Sequence, residues 1–170
     1  EHFGAEHNIL EVDNYLEILP SAIGITKMPF WDNHWYFISQ FASKKSKILA
    51  SGDGGDEIFG GYTFRYEKFL SQIHSNSTPI EKVEAYLNCH ERDWVIDQNE
   101  VFGNKLNFSW DKIYSTLLPF FDNSLNSLGQ VFLADYNGKL RYNFSHVNNS
   151  LNNHFGLKSI SPLLSNDLIS

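Results

Sequence analysis

The sequence predicts an α/β domain of 170 residues, mostly helical with one credible strand. Three observations point there. The short run "KILA" (Lys47–Ala50) leads straight into the Gly-rich "SGDGGDEIFGGY", which reads as strand, turn and helix start. Elsewhere apolar residues recur mainly at three- and four-residue spacing, the period of a helix with one buried face. The composition, 42% hydrophobic and 15% aromatic, is that of a chain able to bury a core.

Each element follows from its local pattern. Val12, Tyr15, Leu16 and Leu19 predict a first helix, and Pro20 predicts a break or a fresh first turn after it. Met28 precedes a proline and is biased away from helix, so "MPFWD" reads as a loop. Trp35, Phe37, Ile38 and Phe41 predict a second helix that runs out in the basic cluster "SKKSK". Lys47–Ala50 is too brief for a helix and reads as a short buried strand. "DEIF" and "YTFRYEKFL" read as two helices jointed at Gly60-Gly61. Ile80–Trp94 carries Val83 and Leu87 opposite a charged face. Ile113–Leu118 and Leu128–Leu140 predict two further helices. The tail from Asn143 reads as loop, with "SISPLLS" as a last turn. No internal repeat is present.

Charge and cysteine content narrow the partners. A formal charge of −7 and a pI near 5.4 argue against nucleic acid as the main partner. No apolar run is long enough to cross a bilayer, so no membrane partner is expected. Cys89 is the single cysteine, which rules out an intrachain disulfide and favours a reducing, cytoplasmic setting. The acceptor-like triplets at Asn76, Asn107 and Asn143 are what chance supplies in a chain rich in Asn and Ser. The opening "EHFGAEHNILEV" has no lead-in and reads as the middle of a longer chain.

The chemistry concentrates in Lys47–Tyr66, where Asp53, Asp56 and Glu57 stand among five glycines. Strand, Gly-rich turn and helix start form an anion-binding geometry, with backbone N–H groups at the helix start pointing at the ligand. Ser51, Gly52, Gly54 and Gly55 let a ligand approach the main chain closely. A phosphate beside Asp53 or Asp56 would be repelled by about 4 kcal/mol per charge pair at ~4 Å and an effective dielectric of ~20. Mg²⁺ resolves the conflict, because it takes carboxylate and phosphate oxygens together. A structural reading also stands: acids in a first helical turn meet the helix dipole favourably.

Other motifs fail. No "GKS" or "GKT" follows the glycines, so this is not a Walker loop. An EF-hand counted from Asp53 would place Gly55 where an oxygen ligand is needed. No serine stands between Asp53 and Gly54 to make "GDSGG", and neither "GxSxG" nor "HExxH" occurs. Cys89 and His90 lack partners at metal-ligand spacing, and His2 and His7 point to nothing.

With these residues in view, the chain resembles the synthetase domain of the asparagine synthetase family. That family carries "SG(E/D)GxDExFGGY", and Ser51–Tyr62 read "SGDGGDEIFGGY". Weaker agreement lies in "FGAEHNILEV", "MPFWD" and "FGLKSISPLLS". The resemblance implies an α/β adenine-nucleotide fold of the PP-loop ATP-pyrophosphatase type, with residues 1–170 a partial domain. It implies adenylation of a carboxylate, most simply aspartate, with release of pyrophosphate. Ammonia from a glutaminase domain then attacks. On this basis Ser51 and Gly52 contact the AMP part of ATP, and Asp53, the catalytic residue, occupies the acidic position beside the acyl-adenylate, where ammonia attacks. Asp56 faces Mg²⁺–pyrophosphate, and Glu57 is structural, pairing at the helix start.

Departures from the family pattern shape the alternatives. The family's upstream loop "SGGxDS" is absent, so the 170 residues alone are expected to be inactive. Ser150 stands where the family's "D(R/K)-x-SM" carries its basic residue, and Ser165 replaces the acid closing "PFLD". Three readings follow: a glutamine-hydrolysing asparagine synthase, a related amidotransferase or lactam-forming ligase with another acceptor, and a degenerate non-catalytic binding domain.

Overall fold

A computed structural model of the chain describes residues 2–29, 33–90, 100 and 108–169. Most of the predicted "MPFWD" loop, the end of the predicted Ile80–Trp94 helix and the Asn107 triplet lie outside the described residues. In chain order the elements are α1 (Tyr15–Thr26), α2 (Trp35–Ala42), β1 (Ile48–Ala50), α3 (Gly55–Phe59), α4 (Thr63–Gln72) and α5 (Pro79–Asn88). Then come α6 (Trp110–Phe121), α7 (Ser127–Ala134), a π-helical stretch (Asp135–Phe144) and α8 (Ser145–His154). β2 (Lys158–Ile160), a 3₁₀ turn (Pro162–Leu164) and α9 (Asn166–Ile169) finish the chain. The fold is mostly helical with a small parallel sheet. Two units contain these elements, residues 1–53 with 142–170, and residues 54–141.

In the first unit α1 and α2 pack on α8. Ala22, Val147 and Leu151 form the buried centre, flanked by Ile18, Ile25, Trp35 and Tyr36. β1 pairs with β2 in parallel, in the register Ile48↔Lys158, Leu49↔Ser159, Ala50↔Ile160.

Four expectations are corrected here. Pro20 lies inside α1 and does not end it. The ring removes one N–H, the donor to the Leu16 carbonyl, on a face where Leu16, Glu17 and Pro20 are all exposed. The opposite face buries Ala22 and Thr26, and that burial carries the helix through. β1 forms, but it is not a buried strand: Ile48 is 51% exposed, because only one neighbouring strand flanks it among the described residues. A second strand, β2, arises from residues expected to be tail. So does α8, whose Val147, Asn148, Leu151 and Asn152 face inward at helical spacing. Asparagine is a weak helix former, and here tertiary contacts override that preference.

The second unit closes on Phe69, Val83, Phe121 and Val131, all essentially without solvent contact. Phe121 meets Phe69 and Tyr86 at centroid distances of 5.9 and 5.3 Å. Each such side chain contributes roughly 1.5–3 kcal/mol on burial. The α3–α4 joint falls at Gly60, as expected, with φ of 77°. α5 starts at a capping box: the Thr78 hydroxyl accepts from Glu81 N–H, and the Glu81 carboxylate accepts from Thr78 N–H.

One polar cluster is sunk into this core. Asp135 is fully buried and accepts the Tyr86 hydroxyl at 2.7 Å. Arg65 Nη2 stands 3.5 Å and His90 Nε2 3.6 Å from the same oxygen. Beside them Cys89 donates to the Tyr86 carbonyl at 3.0 Å. Burial pushes the Cys89 thiol up to about 11. Thiolate is the reactive form, so at pH 8 Cys89 of the folded protein should alkylate at least about tenfold more slowly than in urea. Mass spectrometry of the Cys89 peptide after timed iodoacetamide labelling measures this. Equal rates would mean the thiol is open to solvent.

Candidate functional site

The sheet sets the start of the Gly-rich segment. Lys158 N–H donates to the Lys47 carbonyl at 2.8 Å, and Ser51 N–H to the Ile160 carbonyl at 2.9 Å. The ladder therefore consumes the Ser51 N–H. What Ser51 still offers a ligand is its carbonyl and its hydroxyl, which lies 3.3 Å from the Ser161 hydroxyl. Gly52 is exposed, and a Cβ built on it meets nothing within 4 Å. No packing among the described residues demands glycine there, and close approach by a ligand would.

Asp53 is half-buried at the end of this run. Its Oδ2 accepts from the Nδ2 of Asn148, on α8, at 2.9 Å. Asn148 was not singled out from the sequence. The signal available was its position, directly before the Asn149–Asn153 segment that aligns with the family's "D(R/K)-x-SM".

In the second unit, Gly54 takes a left-handed φ of 89° and turns the chain into α3. Only glycine does this without strain. Asp56 and Glu57 then fall in the first turn and diverge. Asp56 is exposed, and its carboxylate occupies the space where a Cβ on Gly61 would sit. Glu57 is 4% exposed and accepts the Tyr62 hydroxyl at 2.8 Å. Lys139 donates to the same hydroxyl at 2.9 Å and stands 3.9 Å from Glu57. Its ammonium also lies 4.1 Å from the Tyr62 ring centroid. Burial first, then the bond to Glu57, pushes the Tyr62 hydroxyl far above its ordinary range. Glu57 thus pairs with Tyr62 and Lys139 and holds α3 in place.

No group of three or more His, Cys, Asp or Glu gathers as a metal cluster among the described residues. The donor set nonetheless suits Mg²⁺, which is commonly held by one or two carboxylates together with substrate phosphates. Asp56, single, exposed and at a helix start, fits that role. His90 is committed elsewhere: its Nδ1 lies 2.7 Å from the Tyr86 carbonyl.

A family model described as asparagine synthase matches residues 1–170, the whole chain. The chain belongs to the asparagine synthase family. Among curated proteins, it is similar to a Mycobacterium bovis protein named "Putative asparagine synthetase (glutamine-hydrolyzing)", at 33% identity over 72 residues. Proteins of the same name from two Mycobacterium tuberculosis strains match equally. The matched stretch covers 39% of this chain and 11% of each relative. No solved structure matches. No helix among the described residues is long and apolar enough to cross a membrane.

Within this asparagine synthase domain, the Glu57–Tyr62 bond ties the two ends of the motif's acidic-to-aromatic half. Tyr62→Phe strips a buried carboxylate of its donor, which costs about 1–3 kcal/mol. Urea unfolding should show that loss, and a variant as stable as the parent would remove Glu57 from the role assigned to it.

Proposed function

We propose that this chain is part of an ATP-dependent amide synthetase with a PP-loop type nucleotide fold, most simply a glutamine-hydrolysing asparagine synthase. The observation that carries the reading is the uninterrupted Ser51–Tyr62 motif, with two of its three acids, Asp53 and Asp56, in different circumstances. Asp53 is half-buried and held by one hydrogen bond, and Asp56 is exposed at a helix start. A group that must meet a reacting centre needs the first setting. A group that must meet a hydrated cation needs the second.

On this reading the substrates are ATP, aspartate or another carboxylate, and ammonia from a glutaminase domain. Ser51 and Gly52 lie against the AMP portion: Gly52 leaves the main chain bare, and Ser51 adds a hydroxyl. Mg²⁺, held at Asp56, would screen the phosphate charge from the carboxylates. Asp53 acts after adenylation. As the amine nitrogen bonds to the acyl carbon, the bond to AMP breaks with its electron pair on the phosphate oxygen. The proton lost from nitrogen passes to the free Oδ1 of Asp53. Adenylating a carboxylate is the chemistry of the whole family pattern, and the acceptor is its least constrained part. A second reading, a binding domain without catalysis, is favoured by Ser150 in place of a cation that would steady the departing pyrophosphate.

The experiment uses the full-length protein with Mg²⁺–ATP, aspartate and either glutamine or ammonium, measuring AMP, pyrophosphate and asparagine. Asp56→Asn should lower amide synthesis more than tenfold, about 1.4 kcal/mol or more of transition-state stabilisation, while sparing glutamine hydrolysis. Gly61→Ala should reproduce that defect, because the new methyl group displaces the Asp56 carboxylate. Equal loss of both activities with a lowered melting temperature would make Asp56 structural.

Asp53→Ala should leave ATP affinity nearly unchanged while amide formation falls sharply. Gly52→Val, in open space, should instead block ATP binding without unfolding the protein. Isothermal calorimetry separates the two. ATP affinity lost equally in both variants would contradict the role given to Asp53.

A further inference from the structure

Two buried asparagines one helical turn apart on α8 are used very differently. Asn152 is 3% exposed and has both ends of its amide engaged. Its Oδ1 accepts from the Ser39 hydroxyl at 2.5 Å, and its Nδ2 donates to the Ser159 hydroxyl at 2.8 Å. It joins α2 to β2 and needs no other explanation. Asn148 is also 3% exposed, but only its Nδ2 is engaged, with Asp53. Its Oδ1 is buried without a hydrogen-bond partner among the described residues.

A buried carbonyl oxygen left unpaired weakens a fold. A leucine on the inner face of α8, beside Val147 and Leu151, would avoid that cost. We infer that Asn148 is a positioning residue for amide formation: it holds Asp53 by Oδ2 and leaves Oδ1 toward the incoming amine. The inference rests on the catalytic reading of Asp53 and goes beyond it, because the residue lies outside the Ser51–Tyr62 motif.

The geometry supports a specific division of labour. Asp53 follows the strand end through Gly52 and precedes Gly54, so the backbone on either side does little to fix its side chain. Among the described residues Asn148 supplies its only side-chain hydrogen bond. Fixing one carboxylate oxygen removes rotamer freedom that would otherwise be lost during reaction. An amide does this without adding charge, where a lysine would compete with the amine for the carboxylate.

The test uses the full-length protein and compares Asn148→Leu and Asn148→Ala with the parent and with Asp53→Ala. Three readouts are taken: amide formation at saturating substrates, carboxylate-dependent ATP–pyrophosphate exchange, and melting temperature. The expected result is amide formation lowered by about tenfold or more, with exchange within about twofold of the parent. The leucine variant should melt no lower than the parent, and adding Asn148→Leu to Asp53→Ala should slow the reaction no further.

Parent-level amide formation in both variants would overturn the inference and leave the catalytic reading of Asp53 intact. So would parallel losses of exchange, amide formation and melting temperature, since these describe a residue that only holds the fold. A full additional loss in the double variant would also overturn it. If the parent forms amide and Asp53→Ala does so equally well, the reading of Asp53 falls, and this inference with it. A parent that forms no amide has the same consequence.

Discussion

The first unit depends on a parallel pairing of three residues with three, made between segments 110 positions apart. β1 and β2 are each too short to persist alone. Their ladder, extended by the Lys158–Lys47 and Ser51–Ile160 hydrogen bonds, fixes where the Gly-rich segment leaves the sheet. It also spends the Ser51 N–H, which limits how Ser51 can meet a ligand. α8 runs directly into β2 through the Leu157 N–H to Asn152 carbonyl bond at 2.8 Å. The helix that carries Asn148 and the strand that holds Ser51 therefore share one short connection.

The second unit solves a different problem, the anchoring of a five-residue helix. α3 is far too short to be stable from its own hydrogen bonds. It is held by tertiary contacts instead: Tyr66 donates to the Asp56 carbonyl at 3.0 Å, and Tyr62 to the buried Glu57. Lys139 arrives from the π-helical stretch and balances the Glu57 charge at partial burial. A buried carboxylate with only a neutral donor would be costly, and a nearby ammonium reduces that cost. The outcome is an α3 whose two acids are separated in role. Glu57 is buried and paired, and Asp56 is left at the surface.

Local chemistry made much of this legible. Gly54 and Gly60 bracket α3, and both take the left-handed conformation that glycine alone adopts freely. The α2, α4 and α6 helices carry apolar residues at helical spacing, and their centres lie where that spacing places them. The helix expected over Leu128–Leu140 is α-helical only as far as Ala134 and continues as the π-helical stretch. The family was legible for a related reason: a contiguous motif survives in sequence because its residues must be adjacent to turn a strand into a helix start. The role of Glu57 was legible only in outline, since its partner Lys139 lies 82 positions away.

By itself the sequence determined the strand–turn–helix at Lys47–Tyr66, most of the helices, and membership of a family recognised by a contiguous motif. Those features rest on neighbours along the chain. Tertiary structure decided the rest. Pro20 was expected to break α1, but burial of the Ala22 and Thr26 face outweighs one lost hydrogen bond. The run "SHVNNSLNNH" lies in the tail expected to be loop, and asparagine has weak helical preference. It is helix because Val147 and Leu151 are buried and Asn152 finds Ser39 and Ser159. Asn148 belongs to the same class: its meeting with Asp53 spans 95 positions and leaves no local pattern. Partners brought together only by folding cannot be read from spacing, and the polar contacts that distinguish Asp53 from Asp56 are of that kind.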